Sequence, residues 1–486
     1  MSNKLKIVSI ASEVAPFSKT GGLADVVRSL SKALGRLGHE VIVITPLYGK
    51  ITDKKKYDLE LVERDISVSL NSAESIKVNY WRGYLKEDSP VYFVECKKYF
   101  SGKKAIYGSL HENARFFIFN AAALKLVSLL KFRADIIHCH DWQTGLIPYL
   151  LKTRPKDYEI LRNAKSVFTI HNLAFQLGRN WWEVPPEKKD YGKGDIPALA
   201  NPNIEYLNFA KRGILFADII NTVSEQYREE IMTKKFGQDL HCILRNRSGR
   251  LYGIINGIDY KAYNPANDPG LVKRFDEQSS VNKKTNKEYV QKMFGLAPEG
   301  GIPLICSTSR VTFQKGFELI VKLLESLAKL DLQLIIMGNG DKEYINALKK
   351  IRKKYPKKIY WIPFDQKIET LIYAGADLFL LPSYHEPCGI NQLIAMRYGA
   401  IPIIRKVGGL NDTVDNFDIR KPARGTGFSF KNFDKFSLYG TIIRALETYK
   451  QKNYWNMIVS RALKQSNSWE IPAKKYVKLY RKAING

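Results

Sequence analysis

The N-terminal segment of the chain carries a strand–helix–strand pattern. An apolar run over 6–12 is followed by apolar residues at helical spacing over 23–37, and a second apolar run follows over 41–44. Gly38 comes directly after the helical pattern, at a position where helices commonly end. Short apolar runs on either side of an amphipathic helix are typical of a βαβ unit with a parallel sheet. This pattern predicts a Rossmann-like beginning to the fold.

The same pattern recurs in the second half of the chain. Apolar runs over 304–307 and 332–337 stand on either side of a helical pattern over 317–327. Two such units predict an α/β protein with two Rossmann-like, doubly wound domains. We expect the first domain at 1–258 and the second at 259–466.

Length and composition agree with a globular protein of two domains. The chain has 486 residues, 45% of them hydrophobic, which is enough for two cores. Its five cysteines are scattered, without a Cys-x-x-Cys pair, which argues against a disulfide framework or a structural zinc. No apolar run approaches the length of a membrane span, and the first strand pattern begins almost at the N-terminus. We therefore expect a cytoplasmic protein without membrane partners.

The charge balance raises a different class of function. Lys and Arg number 77 against 48 Asp and Glu, a net charge of +29. Such an excess is typical of proteins that bind nucleic acid, membrane surfaces or anionic substrates. The basic clusters are short and far apart, and they lack the interleaved aromatic residues of an RNA-binding surface. We therefore interpret the excess as a solvated basic surface and expect no nucleic-acid partner. A basic nucleic-acid-binding protein is the alternative of another class.

A glycine-containing turn follows the first strand pattern. Lys19, Gly21 and Gly22 lie between this strand and the helix that follows it. Glycine lets the backbone approach a phosphate, the N–H groups at a helix start point toward it, and lysine adds a positive charge. These residues predict a site for a phosphorylated ligand. A Gly-Gly pair taken alone would indicate only a tight turn.

The sequence around this turn resembles a known family. Ser-Glu-Val-Ala-Pro-Phe at 12–17 and Lys-Thr-Gly-Gly-Leu-Ala-Asp-Val at 19–26 closely resemble the opening of bacterial glycogen synthases and plant starch synthases. The resemblance extends over essentially the whole chain. It implies the glycosyltransferase B fold, in which two Rossmann-like domains face each other across a cleft. It also implies that the last helix, here 467–486, packs back on the first domain.

Two histidine-containing motifs belong to the first domain. His-Cys-His-Asp-Trp-Gln at 138–143 follows a predicted strand at 134–137, and Thr-Ile-His-Asn-Leu at 169–173 follows another at 166–168. Ligands of open α/β sheets bind at the carboxyl ends of strands. His138 and His140 supply only two imidazoles to a metal, so we interpret them as core or hydrogen-bonding residues and expect no metal site.

The resemblance assigns roles to residues of these motifs. It implies that Asp141 and His171 are catalytic residues that lie against the glucosyl unit, with the His171 main-chain carbonyl near the anomeric carbon. It also implies that Asn172 and Asn256 contact the substrate.

Three residues of the second domain are expected to bind the nucleotide. Arg310 and Lys315 lie on a strand-to-helix turn, so that both side chains can converge on one diphosphate. The resemblance matches them to a basic loop that acts in catalysis. It also matches Phe364 to an aromatic residue that stacks on the nucleobase; a Phe that fills the core is the alternative.

A second motif of this domain has the most specific sequence. Glu386 begins the string Glu-Pro-Cys-Gly-Ile-Asn-Gln-Leu, and the resemblance implies that it holds glucose hydroxyls as a catalytic residue. The helix that follows would turn its first N–H groups toward the diphosphate. The residues expected at this substrate-binding turn are Cys388, Gly389, Ile390 and Asn391. Taken singly, Glu386 could only cap that helix.

The resemblance implies a retaining glucosyltransferase that extends an α-1,4-glucan, such as glycogen, from ADP-glucose without a cofactor. Ile394 and Asn391 depart from the common family pattern, in which Tyr and, in many bacterial members, Thr occupy these positions. These departures concern the nucleotide contacts and leave the reaction class unchanged. A related enzyme that uses UDP-glucose or another acceptor is the alternative. A covalent intermediate and same-face attack within an ion pair both remain open.

Overall fold

The chain folds into two compact units, each with its own sheet. The first unit comprises the residues up to Asn256 together with Trp469–Gly486, and the second comprises Gly257–Ser468. The computed structural model describes residues 4–51, 53–85, 89–103, 105–298 and 300–486.

The first unit contains a nine-stranded sheet in the order β3-β4-β5-β2-β1-β6-β7-β8-β9. Its neighbouring strands are parallel except that β4 runs antiparallel to both β3 and β5. The strands are β1 (Lys6–Ile10), β2 (Glu40–Pro46), β3 (Glu60–Ser69), β4 (Ser75–Leu85), β5 (Ser89–Glu95), β6 (Ile136–His140), β7 (Lys165–Ile170), β8 (Ile219–Thr222) and β9 (Leu251–Gly253). The helices are α1 (Gly22–Arg36), α2 (Glu112–Leu129), α3 (Leu146–Thr153), α4 (Phe209–Phe216), α5 (Glu225–Ile231) and α6 (His241–Asn246).

The second unit contains a six-stranded parallel sheet in the order β12-β11-β10-β13-β14-β15. Its strands are β10 (Leu304–Thr308), β11 (Gln333–Met337), β12 (Ile359–Ile362), β13 (Leu378–Leu381), β14 (Ile401–Arg405) and β15 (Phe428–Phe430). Its helices are α7 (Lys283–Met293), α8 (Phe317–Ala328), α9 (Lys342–Lys354), α10 (Glu369–Gly375), α11 (Asn391–Arg397), α12 (Gly408–Thr413), α13 (Lys435–Lys450) and α14 (Lys452–Lys464).

The last helix, α15 (Glu470–Asn485), belongs to the core of the first unit. Its buried Tyr476 and Tyr480 join a cluster with Ile7 of β1 and Leu30 of α1. The prediction that the C-terminal helix packs on the first domain is confirmed. Among the residues that the structure describes, no helix is long and apolar enough to cross a membrane.

Two predicted strands end too early in the sequence. The strand expected at 166–168 is β7, which runs to Ile170 and so includes Thr169. The strand expected at 134–137 is β6, which runs over Ile136–His140, so that His138 and His140 lie within it and do not follow it. Both histidines are fully or almost fully buried. Polar side chains are tolerated inside a central strand because each ring has hydrogen-bond partners on neighbouring elements.

Candidate active site

The turn between β1 and α1 presents open backbone. Neither Gly21 nor Gly22 has a positive φ, and a Cβ added at either position would meet no atom of the described residues within 4 Å. The described part of the protein therefore does not require glycine there, whereas a ligand that approaches the backbone would. Lys19, on the same turn, is half-exposed and pairs through Nζ with Asp25 Oδ2 at 2.7 Å.

This turn is held by a buried carboxylate that we did not single out in the sequence. Glu13 Oε2 accepts hydrogen bonds from the Thr20 backbone N–H at 2.5 Å and from Thr20 Oγ1 at 3.0 Å. Burial raises the pKa of Glu13 to about 7, although the bonds from Thr20 oppose that rise. A glutamate directly after a buried strand and close to a glycine turn was the available sequence signal.

The raised pKa of Glu13 predicts a pH-dependent stability. The ordinary pKa of this carboxyl is 4.5 and its folded pKa is about 7, so between these values the folded state holds a proton that the unfolded state has lost. The free energy of unfolding therefore falls as pH rises through this window, by roughly 1–3 kcal/mol. Glu13→Gln removes the titrating group, so its free energy of unfolding should lack this fall. Urea unfolding of the parent protein and of the variant at several pH values measures the difference. Parallel pH curves for the two proteins would contradict it.

Asp141 and His171 lie at the adjacent ends of β6 and β7. The Asp141 carboxylate accepts the backbone N–H of His171 at 2.7 Å and that of Asn172 at 3.4 Å. Asp141 has φ 58° and ψ 176°, a conformation that costs a non-glycine residue roughly 1–3 kcal/mol. Its hydrogen bonds offset that cost and orient the backbone of the loop after β7.

Burial favours the neutral forms of Asp141 and His171. Burial raises the pKa of Asp141 to about 7, and the nearby Glu13 carboxyl adds to the rise. Burial lowers the pKa of His171 to about 3. Glu13 accepts a hydrogen bond from Thr20 and also raises the pKa of Asp141. It thereby connects the glycine turn with the ends of β6 and β7 within the first unit.

The second unit contains a close pair of predicted catalytic residues. Lys315, on the turn before α8, lies with its Nζ 2.5 Å from Glu386 Oε2. Ser383 Oγ donates to the same carboxylate oxygen at 3.1 Å. Both members of the pair are largely buried. The Glu386 carboxylate therefore bonds to a cation and to a hydroxyl on the turn before α11.

Arg310 lies on the same turn but is exposed. Its Nη2 donates to Gln314 Oε1 at 3.3 Å, and Gln314 Nε2 donates in turn to the His385 carbonyl at 3.3 Å. Burial lowers the pKa of His385 to about 4, so this ring adds no charge beside Glu386 at neutral pH. Within the residues that the structure describes, Arg310 forms no ion pair.

The turn that carries Glu386 packs directly on Gly408 and Gly409. Gly408 has φ 43°, and a Cβ there would lie 2.0 Å from the Glu386 carbonyl oxygen. Only glycine allows this approach. The turn also holds the four predicted substrate-binding residues: Cys388 is buried, Gly389 has φ 71°, Ile390 precedes α11, and Asn391 donates from Nδ2 to the Thr308 carbonyl.

The two remaining predicted residues stand apart from these groups. Phe364 follows β12 and is 48% exposed, so it does not fill the core. Asn256 is buried at the end of the first unit, and its Oδ1 has no hydrogen-bond partner within the described residues. Neither bonds to another predicted site residue in the part of the chain that the structure describes.

Comparisons with known proteins bear on what this arrangement does. The family model of the starch synthase catalytic domain matches residues 6–246, and that of glycosyl transferases group 1 matches residues 291–458. A glycogen synthase from Geotalea daltonii is 40% identical over 488 residues and covers 98% of each chain. One from Pseudothermotoga lettingae is 40% identical over 492 residues and covers 99% of each chain.

The chain belongs to the glycogen synthase family. The catalytic domain of starch synthase IV from Arabidopsis thaliana, solved with ADP and acarbose, matches this glycogen synthase family member with a TM-score of 0.84 and 33% identity, over 99% of this chain and 100% of that one. Sucrose-phosphate synthase from Thermosynechococcus elongatus, with a TM-score of 0.61 and 17% identity, shares the fold. The predicted B-type fold is confirmed, and so is the prediction of a glucan-synthesising glycosyltransferase.

Proposed function

We propose that this glycosyltransferase moves glucose from ADP-glucose to the non-reducing end of an α-1,4-glucan with retention of configuration. The Lys315–Glu386 pair carries the proposal, because it sets a cation beside a carboxylate within one unit. A cation suits the diphosphate of a nucleotide sugar, and a carboxylate suits the hydroxyls of the attached sugar. The ADP in the starch synthase IV structure supports adenine as the base.

The cations in this proposal stabilise the leaving diphosphate. Arg310 and Lys315 bind it from the second unit, assisted by the backbone N–H groups of 388–391. Lys19 contributes a further charge to binding of the donor. Groups that are already in place when negative charge develops lower the barrier without reorganisation.

The remaining predicted residues position the sugar in this proposal. Asp141 orients the backbone of His171 and Asn172 through its two hydrogen bonds, so that the His171 carbonyl lies near the anomeric carbon. Gly21 and Gly22 leave their backbone bare for the donor. Glu386 holds glucose hydroxyls, and Asn172 and Asn256 complete the contacts.

The donor and product can be tested in one experiment. Release of nucleoside diphosphate is measured from ADP-glucose and from UDP-glucose, each with and without glycogen, and the anomeric configuration of the new bond is read by NMR. We expect ADP release that depends on glycogen and an α-linked product. Faster reaction with UDP-glucose would favour the alternative donor, and a β-linked product would contradict retention.

Phe364 is expected to contribute to nucleotide affinity. Its ring is exposed at the end of β12, and stacking of a base on an aromatic ring is worth roughly 1–3 kcal/mol. Phe364→Ala should therefore weaken ADP binding about 5-fold to 150-fold in calorimetry. Phe436→Ala is the matched control, because Phe436 is 75% exposed in the same unit and lies in no proposed contact. Equal ADP affinities for the two variants would contradict the assignment.

A further inference from the structure

Two buried polar side chains, Ser9 and His140, form a hydrogen-bonded row with His171. The proposed function assigns no role to either of them. Ser9 Oγ, on β1, lies 3.2 Å from His140 Nε2, on β6. His140 Nδ1 lies 3.0 Å from His171 Nε2. Ser9 and His140 are 4% and 0% exposed. The three side chains form one hydrogen-bonded path across the strands β1 and β6 to the loop after β7.

Burial restricts where the protons of this row can lie. It lowers the pKa of His171 to about 3 and holds the pKa of His140 well below its ordinary value. Both rings are therefore neutral near neutral pH, and each carries one N–H and one nitrogen lone pair. The two rings share a single proton across their contact, so only two arrangements of the row remain.

In the first arrangement, Ser9 donates to His140 Nε2, His140 Nδ1 donates to His171 Nε2, and the His171 proton is on Nδ1. In the second arrangement all directions are reversed, and His140 donates to Ser9 Oγ. The Ser9 hydroxyl proton then needs another acceptor. Ser9 Oγ makes no second hydrogen bond within the described residues, and a buried donor without an acceptor is unfavourable. Among these three side chains, the first arrangement leaves its unpaired donor at Nδ1 of the partly exposed His171, whereas the second leaves it on the buried Ser9.

We propose that Ser9 and His140 are positioning residues that hold His171 as the neutral tautomer with its proton on Nδ1. Because His140 occupies Nε2, Nδ1 is the nitrogen left for a ligand, and as an N–H it donates to an oxygen of the transferred sugar. A neutral donor also places no positive charge beside a sugar that becomes cationic in the transition state. The ligand role of His171 rests on the proposed function; the tautomer does not.

A neighbouring histidine, His138, packs on the His140 ring. The His138 ring lies 4.0 Å from the His140 ring, centroid to centroid. Its Nε2 lies 2.7 Å from Thr169 Oγ1 and its Nδ1 lies 2.8 Å from the hydroxyl of Tyr480 on α15. Burial lowers the pKa of His138 to about 3, so the ring packed on His140 adds no charge. Both His138 nitrogens are bonded, so the ring that packs against His140 is itself held in place.

Two substitutions of His140 separate a donor from an acceptor. His140→Asn keeps an N–H near the position of Nδ1, whereas His140→Asp, studied at a pH above the pKa of about 7 that burial gives the adjacent Asp141, presents a carboxylate that can only accept. We expect the His171 proton to stay on Nδ1 in the Asn variant and to occupy Nε2 in the Asp variant. Long-range proton–nitrogen correlation spectra of the full chain, labelled with ¹⁵N-histidine, report this directly, and the spectrum of His171→Asn assigns the signals.

Kinetics give the second readout. His140→Asp should lower kcat for glucosyl transfer by about 10-fold to 100-fold relative to His140→Asn, with a smaller change in KM, since misoriented support of a site residue typically costs that much. Ser9→Ala should populate both tautomers of His171. Ser429→Ala is the matched control, because Ser429 is a buried strand serine of the second sheet. Urea unfolding checks that each variant folds.

A His171 proton on Nε2 in the parent protein, or a tautomer unchanged by His140→Asp, would overturn the proposal. The expected tautomers with equal turnover in the Asn and Asp variants would support the positioning of His171 and refute its role in donor binding. Absence of glucan synthesis from ADP-glucose would refute the proposed function and leave the spectroscopic test unaffected.

Discussion

Glu386→Gln is expected to lose nearly all glucosyl transfer while it keeps its affinity for ADP. Glutamine has the shape of glutamate but replaces a charged acceptor with a neutral amide, and charge-assisted hydrogen bonds are about twice as strong as neutral ones. We expect kcat to fall roughly 100-fold or more. ADP affinity should hold or increase, because Lys315, which lies 2.5 Å from the carboxylate, then has no anion of the protein beside it. Turnover and ADP calorimetry measure the two effects.

A control with the same chemical change is available in the second unit. Glu318 pairs with Lys322 at 2.5 Å, the same separation as in the Lys315–Glu386 pair, but on the surface of α8. Glu318→Gln should therefore leave both turnover and ADP affinity unchanged. If Glu386→Gln behaved like this control, Glu386 would be only a structural residue of its turn.

Arg310→Ala should produce the second large loss. Within the residues that the structure describes, the exposed Arg310 side chain donates only to the neutral Gln314, so its removal leaves no buried charge unpaired. In the proposed mechanism it stabilises the leaving diphosphate, and one such preorganised donor is worth roughly 3 kcal/mol, or about 100-fold in kcat. We expect this fall in turnover with an unchanged urea midpoint.

Two further variants sharpen this test. Arg420→Ala removes an exposed arginine of the same unit that pairs with Asp418, and it should keep full activity. Arg310→Lys retains the charge but loses the two-pronged geometry of a guanidinium, so its activity should lie between those of the parent and Arg310→Ala. Turnover near the parent value in Arg310→Ala would contradict the role of Arg310 in stabilising the diphosphate.

Local sequence patterns sufficed for the helices that follow the two strand-to-helix turns. The helix expected at 23–37 is Gly22–Arg36, and the one expected at 317–327 is Phe317–Ala328. Apolar residues at helical spacing and a terminal glycine act over a few residues, so they can be read from the chain directly. The specific strings around Lys19 and Glu386 likewise indicated the family from the sequence alone.

Other features depend on contacts between residues that are far apart in the chain. The antiparallel strand β4 has no equivalent in the predicted βαβ units, because pairing with β3 and β5 is decided by the sheet as a whole. The Lys315–Glu386 pair joins positions 71 residues apart, and Ser9 meets His140 across 131 residues. The sequence alone indicated which polar residues lie near several strand ends, although it ended β6 before His138 and His140. The order of the strands in the sheet decided which of those residues meet, because that order sets which strand ends become neighbours.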